Sequence, residues 1–160
     1  MKHTIGILTI LLFLCPVLQA KIPIWFEGAA ALTLDDPNQL NIEGSVLLDL
    51  SQKLQIRAKL VNLDLLHDVS FSAGTRLGFD LLLHFPTRGK YALYGVGGFG
   101  LFTMKDYTSF SMDAGIGVQL SSYSKLKPFL EALVDIYTTS YSGTSSDNVA
   151  LILRAGVRFR

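Results

Sequence analysis

Twelve charged residues occur at alternate positions of segments that are otherwise apolar: Glu27, Glu43, Asp49, Arg57, Lys59, Arg76, Asp80, Asp113, Glu131, Asp135, Arg154 and Arg158. Carboxylates and guanidinium groups gathered on one surface can neutralise one another as a buried network, or line a water-filled path for a small solute. A second set has the types that hydrolases use for nucleophilic attack: His67 and Asp68 near Ser70 and Ser72, and Ser140 and Ser142 near Asp147. Serine and aspartate are also ordinary turn residues, so a solvated loop explains them equally simply. His84 sits close to a turn and is read as a hydrogen-bonding member of the charged face. The single cysteine, Cys15, precedes the body of the chain, so thiol nucleophiles and thiolate metal sites are excluded. No metal or cofactor is expected.

Elements must hold these residues, and the first twenty residues are not among them. Met1, Lys2 and His3 give a basic start to an apolar run from Ile5 to Leu14, Pro16 breaks it, and Ala20 ends a Leu-Gln-Ala site suited to cleavage. This reads as a signal peptide over residues 1–20, with the domain at 21–160. The run is about half of the roughly 20 residues that a spanning helix needs. Bulky Leu14 before Cys15 argues against a lipidated cysteine. Without Lys2, thirteen basic residues balance thirteen acidic ones, which gives no pull toward nucleic acid. Charged residues are 17% of the chain against about 25% in a typical soluble domain, and the mean hydropathy is +0.38. A monomer embedded in lipid is expected.

From Ile24 onward, hydropathy alternates with a period of two in eight segments: 24–34, 40–50, 54–63, 70–85, 91–104, 109–120, 128–139 and 149–159. Short polar or Gly/Pro breaks separate them. In the fourth segment Phe71, Leu77, Phe79, Leu81 and Phe85 oppose Ser72, Arg76, Gly78, Asp80 and His84; in the eighth, Val149, Leu151, Leu153, Val157 and Phe159 oppose Arg154, Gly156 and Arg158. The glycines at 95, 97, 98 and 100 leave the phase of the fifth open. An even number of strands of about ten residues predicts an all-β fold, an eight-stranded antiparallel up-and-down transmembrane β-barrel.

Alternation alone also fits a water-soluble lipocalin-like carrier with its apolar face inward. The charges separate the two: all twelve share the face that also carries small residues, and none lies on the oily face, where a Lys or Arg at mid-bilayer costs about 2 to 4 kcal/mol. Aromatic girdles are expected at the two rims, with Trp25, Phe26, Phe85, Tyr91, Tyr123, Phe129 and Phe159 at the end holding the termini, and Phe71, Tyr107, Phe110, Tyr137 and Tyr141 at the other. The rims also differ in sign. Lys21, Lys53, Arg88, Lys90, Lys125, Lys127 and Arg160 fall at the terminal end, while Asp35, Asp36, Asp64, Asp68, Asp106 and Asp147 oppose Lys105 alone at the far end. Those acids are candidate contacts for divalent cations that bridge lipopolysaccharide phosphates.

The leader, the eight segments, the stretch Tyr91-Ala92-Leu93-Tyr94-Gly95-Val96-Gly97-Gly98-Phe99-Gly100, the stretch Lys127-Pro128-Phe129-Leu130-Glu131-Ala132 and the closing Arg154-Ala155-Gly156-Val157-Arg158-Phe159 together resemble the small bacterial outer-membrane barrels of the OmpX, OmpW and OmpA-transmembrane type. The resemblance covers the whole chain after the leader. It implies an outer-membrane location in a Gram-negative envelope, lipid partners including lipopolysaccharide, and recognition of Phe159 by the barrel-insertion machinery, although Arg160 follows where such chains end on the aromatic. The function expected is structural or interactive, with a lumen plugged by the charged network and no enzyme activity. Alternatives are a narrow solute channel and a lipid A-modifying enzyme, although the His-x-Ser arrangement of the lipid A 3-O-deacylases is absent.

Overall fold

The computed structural model describes residues 22–35, 38–65, 75–86, 89–104, 107–120, 125–141 and 144–160. The expected leader and its cleavage site lie outside these residues. Eight strands follow in order: β1 (Ile24–Leu34), β2 (Gln39–Asp49), β3 (Leu54–Asp64), β4 (Thr75–His84), β5 (Tyr91–Met104), β6 (Tyr107–Leu120), β7 (Leu126–Tyr141) and β8 (Thr144–Phe159). Each pairs antiparallel with its neighbours, and β8 pairs with β1, which closes the barrel. Closure removes the sheet edges, so the ladder itself satisfies the backbone polar groups, as a hydrocarbon environment requires.

Alternation then sorts the side chains. On β8, every outward position from Val149 to Phe159 is apolar or Ala155, and all are exposed. Ten residue steps cover about 34 Å of strand at roughly 3.4 Å each, and a tilt of about 40° reduces this to about 26 Å, the height of a barrel's apolar band. Leu32 and Ile42, Phe79 and Leu81, and Ile116 and Leu130 continue the oily surface around the wall.

The structure assigns the phase of β5 that its glycines obscure. Tyr94 and Val96 are buried while Leu93, Phe99 and Leu101 are exposed, so Gly98 and Gly100 face the lumen. Space explains two of the inward glycines: a Cβ at Gly98 would lie 2.2 Å from Asp80 Oδ1, and one at Gly117 would lie 2.3 Å from Tyr94 Cζ. A β-bulge also changes the phase of β3. Gly44 pairs with Val61 but Ser45 with Lys59, which leaves Leu60 unpaired. Leu60 and Val61 are both exposed, and Asn62 comes to lie opposite Glu43.

Several expectations are corrected. Trp25 and Phe129 are buried in the lumen, because they share the parity of Glu27 and Glu131; they are not girdle residues. Tyr137 has the same inward parity. Phe26, Phe85, Tyr91 and Phe159 do face outward at the terminal end, and Phe110 does so toward the other end. Phe71 and Tyr123, and the side chains of Tyr107 and Tyr141, lie outside the described residues. The break expected at 140–148 is largely strand: β7 and β8 pair out to Tyr141 and Thr144, and Asp147 sits within β8. Residues 144–148 of β8 are exposed throughout, beyond the apolar band that begins at Val149, and there Ser, Thr and Asn are as suitable as any residue.

Replacing Leu153, midway along the apolar band, with arginine is expected to cost about 2 to 4 kcal/mol of folding stability in lipid vesicles. Urea titration of the vesicle-inserted protein checks this; an unchanged midpoint would mean that this face does not meet hydrocarbon.

Candidate functional site

The lumen is filled by ion pairs whose positions follow from register. Glu27 pairs with Arg158 across β1 and β8, Arg57 with Asp80 across β3 and β4, and Glu131 with Arg154 across β7 and β8. Each cross-strand neighbour is also an ion pair: Arg158 Nε to Glu27 Oε2 is 2.8 Å, Arg57 Nε to Asp80 Oδ2 is 2.6 Å, and Arg154 Nη1 donates to Glu131. Further bonds link these pairs to one another, and the one from Arg57 on β3 to Glu131 on β7 crosses the barrel. Arg57 Nη1 donates to Glu131 at 2.8 Å, Arg154 Nη2 to Glu27 at 3.0 Å, and Arg158 Nη2 to Glu131 at 3.0 Å.

Glu131 is the centre of this arrangement. Besides three arginines it accepts the hydroxyl proton of Tyr94 at 2.8 Å, while the Tyr94 oxygen accepts from Arg158 at 3.0 Å. Arg57, Arg154 and Arg158 are at most 2% exposed. Such burial is tolerable because each planar guanidinium spreads its donors over several acceptors. Arg154 also reaches Glu43 at 2.8 Å, Arg158 reaches Gln119 at 2.7 Å, and Lys59 holds Asp113 at 2.8 Å and Asp80 at 3.1 Å.

Toward the terminal end, aromatic groups cap the network. Phe129 lies against Arg158, whose Cζ is 4.6 Å from the ring centroid. Trp25 Nε1 donates to Asp49 at 3.0 Å, Gln55 Nε2 to the same carboxylate at 2.5 Å, and His84 Nε2 is 2.8 Å from Gln55 Oε1. Lys127 Nζ stands 4.0 Å from the Trp25 ring centroid. Toward the far end the filling is looser. Glu43, Lys59, Ser111, Asp113, Asp135 and Arg154 line a cavity of about 20 Å³, measured to water centres and enough for about one water.

Eleven of the twelve sequence-predicted charges are described with their side chains, and all eleven face the lumen; Asp135 is buried opposite Asp113 on the neighbouring strand. For Arg76 only the backbone is described, paired with Phe102. The acidic rim is less uniform. Asp35 accepts a hydrogen bond from Tyr137, Asp147 accepts one from Thr138 Oγ1 at 2.7 Å, and Asp64 pairs through its backbone with Asn41 inside β3 rather than in a loop. Asp36, Asp68 and Asp106 lie outside the described residues, as do His67, Ser70, Ser72 and Ser142. Ser140 and Asp147 sit in the β7–β8 hairpin, with His84 at the opposite end of the barrel. Among the described residues no three His, Cys, Asp or Glu side chains are grouped to hold a metal ion. Sequence reasoning missed Trp25, Phe129 and Gln55 as lumen residues, though each shares the parity of an inward charge on its strand.

A closed antiparallel eight-stranded barrel, oily outside and charged inside, has the fold of the small transmembrane β-barrels. No protein-family model and no curated protein matches the chain. Solved structures do match it in fold. Neisserial surface protein A aligns with a TM-score of 0.59 at 14% identity, over 85% of this chain and 94% of that one. The N-terminal β-barrel domain of Pseudomonas aeruginosa OprF aligns with a TM-score of 0.54 at 16% identity, over 85% and 96%. A de novo designed protein, TMB2.3, aligns with a TM-score of 0.56 at 16% identity, over 88% and 97%.

Substituting Glu131 with leucine removes the shared acceptor of three buried arginines and is expected to cost about 3 to 5 kcal/mol. Asp147→Asn, on the exposed hairpin, is expected to stay within about 0.5 kcal/mol. Parallel denaturant titrations in one detergent compare the two; equal effects would deny Glu131 its central place.

Proposed function

We propose that this chain is an integral protein of a bacterial outer membrane with a structural or interaction role, and that its lumen is closed. One observation carries the reading: side chains that hydrocarbon would reject are inside and neutralise one another, while among the described residues the outer wall between the rims carries no charged side chain and is mostly apolar. The signal-peptide pattern of residues 1–20 supports export, and Phe159, exposed at the end of β8, supports recognition by the insertion machinery. Lipopolysaccharide is the proposed partner at the far end. Asp35 and Asp147, with Asp36, Asp64, Asp68 and Asp106, supply the carboxylates that divalent cations would link to its phosphates.

Expression in a Gram-negative host tests the location. The protein is expected in the outer-membrane fraction, with mobility on SDS gels that changes on heating; a soluble periplasmic pool without that change would overturn the proposal. Planar-bilayer recordings test the closed lumen. A quiet baseline is expected, because Arg57, Glu131 and Arg158 fill the cross-section, whereas reproducible single-channel steps would establish the narrow-channel reading instead.

A further inference from the structure

The end of the barrel that carries both termini is ringed by cations set in one repeated way. Lys53 closes the β2–β3 turn and Leu54 opens β3; Lys90 closes the β4–β5 turn and Tyr91 opens β5; Lys125 closes the β6–β7 turn and Leu126 opens β7. All three lysines are exposed. In each case the next residue belongs to the oily outer wall: Tyr91 and Leu126 are exposed, and Leu54 lies opposite the outward-facing Leu83. Arg160 stands beside the ring: it follows the exposed Phe159 and its backbone N–H donates to the carbonyl of Lys125 at 3.3 Å, while its Cζ is turned over the lumen mouth, 5.9 Å from the Trp25 ring centroid. Among the described residues the one carboxylate side chain at this end is Asp49, and it is turned inward to accept from Trp25 and Gln55. No ion pair among the described residues involves these four cations.

We propose that this ring binds the phosphate groups of anionic phospholipids in the leaflet surrounding the terminal end. The inference rests on the membrane reading above and concerns the rim opposite the acidic one. Depth is set by covalent adjacency: each exposed lysine ends a turn one residue before a lipid-facing anchor, so its flexible stem keeps the ammonium within reach of the headgroup level. The circumferential spread selects the partner. The lysines occupy three successive hairpins around the wall instead of converging on one point, so a small soluble anion would meet one at a time, whereas a lipid annulus meets them all. Their position at the foot of the wall, rather than on projecting loops, favours lipid over a cell-wall polymer.

The test uses the full mature chain, refolded in detergent micelles doped with equal amounts of phosphatidylglycerol and phosphatidylcholine, with native mass spectrometry reading the retained lipid. The wild type is expected to retain phosphatidylglycerol at least about threefold over phosphatidylcholine, since each cation near an anionic surface is worth roughly a fivefold partition. The triple variant Lys53→Gln, Lys90→Gln, Lys125→Gln is expected to fall to near parity, and the corresponding triple arginine variant to keep the preference. Equal retention by the wild type, or an unchanged preference in the glutamine variant, overturns the proposal. Wild type without lipid preference that co-sediments with peptidoglycan through these lysines would make the ring a cell-wall contact and equally overturn it. Heat-dependent gel mobility and insertion into vesicles are read on every sample: failure of the wild type there strikes the membrane reading itself, while insertion without lipid preference strikes this inference alone.

Discussion

A charge that hydrocarbon rejects must find another charge, and in an eight-stranded barrel the lumen is the only place where it can. The wall is one strand thick, so alternation offers each side chain lipid or lumen and nothing between. The lumen of this protein is narrow enough that the inward charges touch. Glu131 on β7 accepts from Arg57 on β3, Tyr94 on β5, and both Arg154 and Arg158 on β8. The hydrogen-bond ladder joins each strand only to its neighbours. The contact between Glu131 and Arg57 joins strands on opposite sides of the barrel, and Tyr94 reaches Glu131 from two strands away, so the cross-section is fixed by side chains as well as by closure of the ladder. Gly98 and Gly117 belong to the same device, because their missing Cβ atoms give Asp80 and Tyr94 the space they occupy.

Packing is graded along the axis. The terminal half is dense, with Phe129 against Arg154 and Arg158, Trp25 against Lys127, and the Asp49, Gln55 and His84 chain beside them. The far half holds the small cavity, the lone lysine among the described lumen cations that pairs with acids there, and the paired positions Asp113 and Asp135. The aromatic groups at the dense end stabilise buried guanidinium by presenting ring faces to it, which a carboxylate could not use. The distribution of the arginines therefore dictates where aromatic filling is useful.

Much of this is legible in the amino-acid sequence. The one-sided placement of charges such as Arg57 with Lys59, and Arg154 with Arg158, defines inside and outside, and the eight segments define the barrel. What the sequence hid has identifiable causes. Trp25 and Phe129 have the residue type of a girdle and the parity of the lumen, and parity wins because a strand cannot turn a single side chain through its own plane. Val61 breaks parity because Leu60 before it is bulged, which leaves no mark in an apolar run. The phase of β5 is concealed by glycines, which carry no side chain to report it. The polar residues of the β7–β8 hairpin resemble a loop because a strand that leaves the apolar band loses its alternating signal along with its oily neighbour. Bonds such as Arg57 to Glu131 depend on strand stagger around the closed barrel, which no linear spacing encodes.

The same neutralisation that allows the barrel to exist also withdraws its most reactive groups from any partner. Arg57, Arg154, Arg158, Glu27 and Glu131 are buried and saturated with one another, so a ligand would have to replace several charge-assisted bonds to engage any of them. Among the described residues the exposed charges lie at the rims, where the two ends carry opposite sign: Lys53, Lys90, Lys125 and Arg160 at one, Asp35 and Asp147, each accepting a hydrogen bond from β7, at the other. That polarity follows the barrel axis and so follows the membrane normal. A protein built in this way meets its surroundings as two unlike rings separated by an inert wall, and what distinguishes it from another barrel of the same fold lies in those rings rather than in the core that holds them apart.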